Sequence, residues 1–468
     1  MAVLLLLLSS ALAKLTVIEP PDLKEKFSER EPGIIPSSLA NFGNPPYGSH
    51  IIGRVYTYRS DQNITGCLPL PPLNFESNSG VTNNPILILD RGNCSFVVKV
   101  RNAQSIGASA VIIANNREGD PEHIMMIDDG TAGNIYIPSM LISKDNGIKL
   151  KSYVLIHPNN KVRVQMAFEM PNPDNRVEYE MWMSSEHDAL REFLADYSKH
   201  AQKLIPDTLM SPHYVLWYSI ERSKEGFINE HKDCISGGRY CAPDPDLDSG
   251  PRTGREIVIE NLRQLCLHKY LTEKKNVGLW WDYIAEFKNC KGTDFNAKCS
   301  DKVLSKIGVK SSIIEKCIEE SVIESGKGKD ININDNKLLR EERDAMIERG
   351  IFFYPALIIN NVTFRGDLET VEVMTAICAG FKDQPKYCLN YFNVISEEEF
   401  EEDDGRVSPG TVILIIVFSL IVLLIVLFFY RKWLRRNMNQ RMKSEISKAV
   451  NQYIALTDQS VNKSKGFS

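Results

Sequence analysis

The sequence predicts a multidomain chain of α/β and α+β units held by one transmembrane helix. Three observations predict it. At 468 residues the chain is longer than one core comfortably organises. Short β-branched runs alternate with helical stretches and are broken by Gly, Pro and Asn, the pattern of mixed sheets. One uncharged apolar run, TVILIIVFSLIVLLIVLFFY at 411–430, matches the hydrocarbon thickness of a bilayer at about 1.5 Å per helical residue. Hydrophobic residues at 43% and charged residues at 25% exclude a wholly disordered chain, a collagen-like repeat and a many-pass membrane protein.

Residues 1–13 read MAVLLLLLSSALA, a run too short to span a membrane. Ala11 and Ala13 occupy the −3 and −1 positions of a signal peptidase site, so a signal peptide cleaved after Ala13 is expected. At the other end, 410–430 is expected to be helical, because no open sheet satisfies its edges in lipid. Charge sets the orientation. The formal net charge is −5, yet the segment 431–468 holds nine Lys/Arg and two acids. Arg431, Lys432, Arg435 and Arg436 follow the apolar run directly, and an acidic stretch, 391–409, precedes it. By the positive-inside rule the tail is cytosolic and the body lumenal or extracellular.

The ten cysteines all lie between Cys67 and Cys388. An even count in an exported region reads as a disulfide framework, and no C-x-x-C pair suggests zinc. Asn63 and Asn361 head glycosylation sequons. No H-E-x-x-H motif supports a metallopeptidase, the tail has no Cys/His cluster for a ubiquitin ligase, and one uncharged span does not make an intramembrane protease. No cofactor, no metal, no catalytic residue and no nucleic-acid partner is expected.

Residues 14–170 form the first lumenal unit. PILILD (85–90) reads as a buried strand, NAQSIGASAVIIANN (102–116) as helix end, turn and strand, and IPSMLIS (137–143) as a strand before a short helix. The runs ILILDRGNCSFVVKVRNAQSIGASAVIIANN and IYIPSMLISKDNG resemble a protease-associated domain, which implies peptide binding rather than catalysis. In Arg91-Gly92-Asn93-Cys94, between strand and helix, Gly92 permits close approach of a peptide backbone. The helix-start amides can hold a carboxylate or carbonyl, and Arg91 can add a bidentate contact. A structural salt bridge is the alternative role for Arg91. Cys94 is expected to bond Cys67, the other cysteine of this unit.

Residues 171–390 form the second unit, with eight cysteines. HDALREFLADYSKHAQKL (187–204) and REIVIENLRQLCLHKYL (255–271) have helical periodicity. HYVLWYSI (213–220) reads as a buried strand, and YPALIINNVTFRGDLE (354–369) as two strands about an Asn-Asn turn. The order resembles a thioredoxin-like fold, with Pro355 as the expected cis proline. In that reading the redox position falls at WYS, with Ser219 where a reactive cysteine is needed, so the fold is kept without the chemistry.

DNRVEYEMW, SPHYVLWY, GGRYCAPDPD, ENLRQLC, GLWWDYI, IIEKCIEES, FYPALIINN and FRGDLE together resemble the central region of vacuolar sorting receptors. The resemblance covers roughly residues 40–390. It implies a receptor for soluble vacuolar or lysosomal cargo. Arg91, Gly92, Asn93, Cys94 and Phe96 inherit the cargo-contacting role by motif match, with Asp128 as a weaker carry-over and NFGNPPYG (41–48) flanking the groove. Cys-rich growth-factor-like repeats of the plant members have no counterpart in 391–409, so calcium tuning through them is not implied. In the tail, Tyr453-Ile-Ala-Leu456 is a Tyr-x-x-Φ motif, whose Tyr453 and Leu456 are expected to recruit a clathrin adaptor complex. Golgi, trans-Golgi, endosomal or prevacuolar membranes are the implied location. His50 and His123 are candidate pH-sensing groups. A lumenal chaperone or adhesion protein is the competing reading.

Overall fold

The computed structural model describes residues 14–392, except 28–30, 60–63, 74–83, 159–160, 219–229, 246–251, 325–327 and 352–353, together with Leu427, Tyr430 and Arg431. The expected signal peptide, nearly all of 391–430, the tail residues Tyr453 and Leu456, and Asn63 lie outside the described residues. Among the described residues no helix is long and apolar enough to cross a membrane.

Eight strands build the first sheet: β1 (Lys14–Glu19), β2 (Ile34–Ile35), β3 (Ser37–Leu39), β4 (Ser49–Tyr56), β5 (Asn84–Asp90), β6 (Ala110–Ala114), β7 (Ser139–Ile142) and β8 (Arg163–Phe168), in the order β2-β1-β8-β4-β5-β6-β7-β3. β4 to β7 run parallel, while β8 pairs antiparallel with β4 and β1, and β3 pairs antiparallel with β7. Helices cover both faces of the parallel centre, so its strands are apolar throughout. Ile86 and Ile88 of β5 face one core, with Leu23 of α1 (Pro21–Lys24) and Leu150 and Tyr153 of α3 (Lys144–Ile156). Leu87 and Leu89 face the other, with Val97, Val100 and Ala103 of α2 (Phe96–Ser105).

The second sheet has the order β10-β9-β13-β14. β9 (Val177–Met183) is central. β10 (Thr208–Tyr214) lies parallel to it, and β13 (Ala356–Ile359) antiparallel. β13 and β14 (Val362–Thr363) form the expected hairpin, with Asn360 at φ 47° and Asn361 at φ 66° in its turn. The Tyr354–Pro355 bond is cis. α4 (Asp188–Leu204) carries the chain from β9 to β10, burying Leu190, Phe193, Leu194 and Tyr197. This β-α-β unit, followed by the hairpin, is a thioredoxin-like core.

Two expectations change here. The strand expected at 213–220 is instead Thr208–Tyr214, whose residues pair one for one with Val177–Met183. Pro212 concealed it, but β10 is an edge strand, where a missing N–H is tolerated. It is also the second strand of the core, not the first. The first is β9, with Val177, Tyr179 and Met181 buried and Glu178 exposed. The redox position of such a fold therefore moves from Ser219 to the residues between β9 and α4, Ser184-Ser185-Glu186-His187. Ser219 itself lies outside the described residues.

Between β10 and β13 sits a helical insertion that includes Gly254–Glu273, Gly278–Phe287, Ala297–Lys306, Ser311–Ser321 and Lys337–Glu348. Thr253 and Glu256 close a capping box at the start of the longest helix. Trp280 and Trp281 are fully buried. Disulfides Cys266–Cys317 and Cys290–Cys299 staple the helices, Cys234–Cys241 closes a small hairpin, and Cys378–Cys388 ties the end of the unit. No cysteine is free.

Candidate cargo-binding loop

β5 ends at Asp90, and the chain must reverse before α2 starts. It does so through two left-handed residues, Gly92 at φ 122° and Asn93 at φ 69°. Gly meets that geometry without strain and Asn with little. A Cβ on Gly92 would stand 3.3 Å from the Asn116 side-chain amide, so the loop also lies close to the end of β6. The Arg91 N–H donates to the Ala114 carbonyl at 2.9 Å, which ties the loop to that strand.

Two devices hold the loop from beneath. The Cys67–Cys94 disulfide closes it covalently. Lys99, fully buried on α2, sends its ammonium back under the turn. Its Nζ donates to the carbonyls of Gly92 and Thr65, both at 2.6 Å, and lies 3.4 Å from Cys67 Sγ. Burial pulls the Lys99 pKa down to about 8, against the opposing charge of Asp90. A cation in this apolar layer is stabilised only by such partners. Sequence reading missed Lys99, although a lysine between Val98 and Val100, on the buried stripe of an amphipathic helix, was the signal.

The structure brings Arg91, Gly92, Asn93, Cys94 and Phe96 together on one turn. Arg91 makes no ion pair among the described residues; Asp90 takes Lys151 instead. Its guanidinium donates to Asn115 Oδ1 at 3.1 Å and lies 5.4 Å from the Phe96 ring centroid. Arg91 is half-buried and Asn93 exposed, so both offer donors toward solvent. Ser95 caps α2, accepting from the Val98 N–H at 3.3 Å, and donates its hydroxyl to Asp129 Oδ2 at 2.5 Å. That bond and those from Thr131 hold the Asp129 carboxyl below its usual range.

Asp128 is not on the loop. Its Oδ1 accepts the N–H groups of Gly130, Thr131 and Ala132 at 2.9, 3.2 and 3.1 Å, a turn-building role that sets Asp129 beneath Ser95. The Asp128 N–H donates to Asn41 Oδ1 at 2.8 Å, so one end of NFGNPPYG does reach this region. The other end packs against the second unit. Tyr47 is buried against the second unit, donating to the Arg365 carbonyl at 2.6 Å and accepting its N–H at 2.7 Å. Its ring lies 5.4 Å from Phe364. Gly366 has φ 124°, and a Cβ there would meet Pro45 at 3.1 Å, so the two units are in close contact. His50 is exposed on β4 and away from the loop, opposite Ala167, and His123 ends the short turn Pro121–His123. Asn361 is exposed, though its side-chain oxygen accepts from Arg349 at 3.2 Å.

Comparison with known proteins matches the PA domain model over residues 55–150, which contain the loop, and the vacuolar sorting receptor thioredoxin-like domain model over residues 177–378. Vacuolar-sorting receptor 1 of Pisum sativum is 36% identical over 403 residues, 80% of this chain and 62% of its own length. Vacuolar-sorting receptor 3 of Arabidopsis thaliana is 34% identical over 405 residues, again 80% and 62%. This chain is similar to the vacuolar-sorting receptors over that stretch. It spans 62% of the length of those relatives. Among solved structures, oxidised Mtb DsbA covers 46% of this chain and 89% of its own at 8% identity, with a TM-score of 0.28.

The vacuolar sorting receptor thioredoxin-like match opens at Val177, the first residue of β9. The residues that follow β9 carry no sulfur. Ser185 N–H donates to Asn261 Oδ1 at 3.0 Å, and His187 Nδ1 caps α4 by accepting the Leu190 N–H at 3.2 Å. Glu186 accepts hydrogen bonds from Ser184 and, at 3.4 Å, from the Tyr354 hydroxyl beside the cis proline, and burial raises its pKa. With serine, glutamate and histidine at these positions and every cysteine bonded, no dithiol stands ready for exchange.

Proposed function

We propose that this chain is a type I membrane sorting receptor, which binds soluble hydrolase or storage-protein precursors in the lumen and passes them to a vacuole or lysosome-like compartment. It acts by binding, without catalysis. The observation that carries the reading is the buttressed loop Arg91–Phe96. Its two left-handed residues, its disulfide and the buried ammonium of Lys99 hold Arg91 and the exposed Asn93 in place before a ligand arrives. A loop pre-organised in this way gives up little entropy on binding an extended peptide. Arg91 supplies a charged fork for a peptide carbonyl or carboxylate, and the helix start behind it supplies N–H groups. The family relationship favours cargo protein as the ligand. The tail, with Tyr453 and Leu456, recruits a clathrin adaptor from the cytosolic side of Golgi, endosomal or prevacuolar membranes. Residues 410–430 cross the bilayer, and 391–409 form the stalk.

Cargo capture and traffic separate in one experiment. The full-length chain is expressed in cells with an acidic lytic compartment, and co-purifying soluble proteins are identified by mass spectrometry. Arg91→Ala is expected to lower cargo recovery by roughly ten- to a hundredfold, the worth of a charge-assisted pair, with normal distribution in the cell. Tyr453→Ala is expected to keep cargo recovery and to shift the receptor to the cell surface. Equal cargo recovery by Arg91→Ala and the unmodified chain would reject the loop as the cargo site.

A further inference from the structure

Between the two lumenal units lies a cavity of about 400 Å³ that the loop does not use. Met125 on one side and Ile351, Pro355, Leu357 and Phe364 on the other give it apolar walls. Asp128 and Asp367 line it as well. Asp128 Oδ1 is committed to its own turn, which leaves Oδ2 without a hydrogen bond among the described residues. The Asp367 carboxylate accepts no hydrogen bond and makes no ion pair there. We infer that this cavity is a second subsite for the peptide held on the loop Arg91–Phe96, and that it takes a basic side chain, a lysine or arginine, whose stem lies on the apolar walls and whose head meets Asp128 and Asp367. The inference rests on the loop being the cargo site.

Continuity supports it. Ser95 of the loop bonds Asp129, the neighbour of Asp128, so one turn borders both the loop and the cavity. A few residues of extended peptide suffice to pass from one to the other. Charge complementarity supports it too. Asp367 is faced by Glu369, Asp128 and Glu372, and these like charges add to partial burial in raising its pKa to about 6. Two arginines line the same cavity, and neither neutralises it. Arg349 is engaged by Glu180 and Asn361. Arg365 makes no ion pair with Asp367, and an arginine pairing with Asp367 would hold that carboxyl down rather than leave it raised. Among the described residues, the carboxylates that bear on Asp367 are thus not matched by an arginine paired with it.

The charge state gives a direction with pH. Above about pH 6 Asp367 is ionised and attracts the cation; as pH falls through and below that value it is protonated and the attraction is lost. A bound cation itself favours the ionised form and moves the transition further toward acid.

A positional-scanning peptide library with the full-length chain tests this at pH 7.5 and pH 5. The unmodified chain is expected to enrich Lys or Arg over Ala at one position by about tenfold at pH 7.5, the worth of a hydrogen-bonded charge, and much less at pH 5. Asp367→Asn, nearly isosteric and free of the like-charge repulsion, is expected to bind the library with that preference gone at both pH values. Arg91→Ala reports separately on the loop, because it is expected to lose peptides irrespective of basic residues. An Asp367→Asn chain that keeps the basic preference, or an unmodified chain that shows none, overturns the second subsite.

Discussion

Replacing Lys99 with methionine is expected to collapse the binding loop and to destabilise the first unit by roughly 3 kcal/mol, the worth of two hydrogen bonds from a charged donor. The carbonyls of Gly92 and Thr65 both accept from the Lys99 ammonium at 2.6 Å. Methionine follows the same path through the core formed by Val97, Val100 and Ala103, so packing is kept and only the charge is removed. Gly92 at φ 122° and Asn93 at φ 69° then lose the partner that holds the turn from below. Hydrogen exchange on 84–116 is the suitable measurement, since no tryptophan precedes Trp182. Protection of β5 and β6 amides that open with the whole unit is expected to fall about a hundredfold, in step with that loss of stability. Cargo recovery is expected to fall with it. Protection within twofold of the unmodified chain would mean that water replaces the ammonium without cost.

Removing the Cys67–Cys94 bridge by a Cys67→Ala, Cys94→Ala double change is expected to cost about 3.5 kcal/mol, from the loop-entropy relation applied to a separation of 27 residues. The two changes act on the same turn, so their costs are not expected to add. Without the bridge, 67–73 is no longer fixed to the loop, and Lys99 keeps only its hydrogen-bonded carbonyls as anchors. The check is denaturant unfolding followed by the same exchange peptides, with and without the bridge, in oxidising buffer. Unchanged stability together with unchanged peptide affinity would show that Lys99 alone sets the loop.

Much of the first unit was legible because its signals are local. PILILD and AVIIANN are continuous apolar runs, and a parallel strand covered on both faces needs nothing else. The turn at Asn360–Asn361 carries its own residue signature, and the cis bond at Pro355 follows from the resemblance to a thioredoxin-like fold. The second unit was harder for a specific reason. β10 contains Pro212, which argues against a strand unless the strand is known to be at an edge, and edge position is a property of the whole sheet. That one misreading displaced the redox position from Ser184–His187 to Ser219. The alternation VEYEMWM, ending in residues that cap a helix, marked the true first strand.

The site divides in the same way. Arg91, Gly92, Asn93, Cys94 and Phe96 are contiguous, so a motif finds them. Lys99, Thr65, Asp129, Tyr47 and Asp367 act across separations that a linear reading does not join. Sequence by itself determined the order of units, the helix–strand character of most segments, the turn at Asn360–Asn361 and the cysteine supply, because each depends on residues near one another in the chain. Only the tertiary structure decided which carbonyls the buried ammonium of Lys99 satisfies, that Asp128 builds a turn, and that Tyr47 binds the second unit at Arg365. It alone brought Asp128 and Asp367 to one cavity. Burial, register and long-range contact arise when distant segments pack, and the strength of a charge or hydrogen bond depends on that surrounding medium.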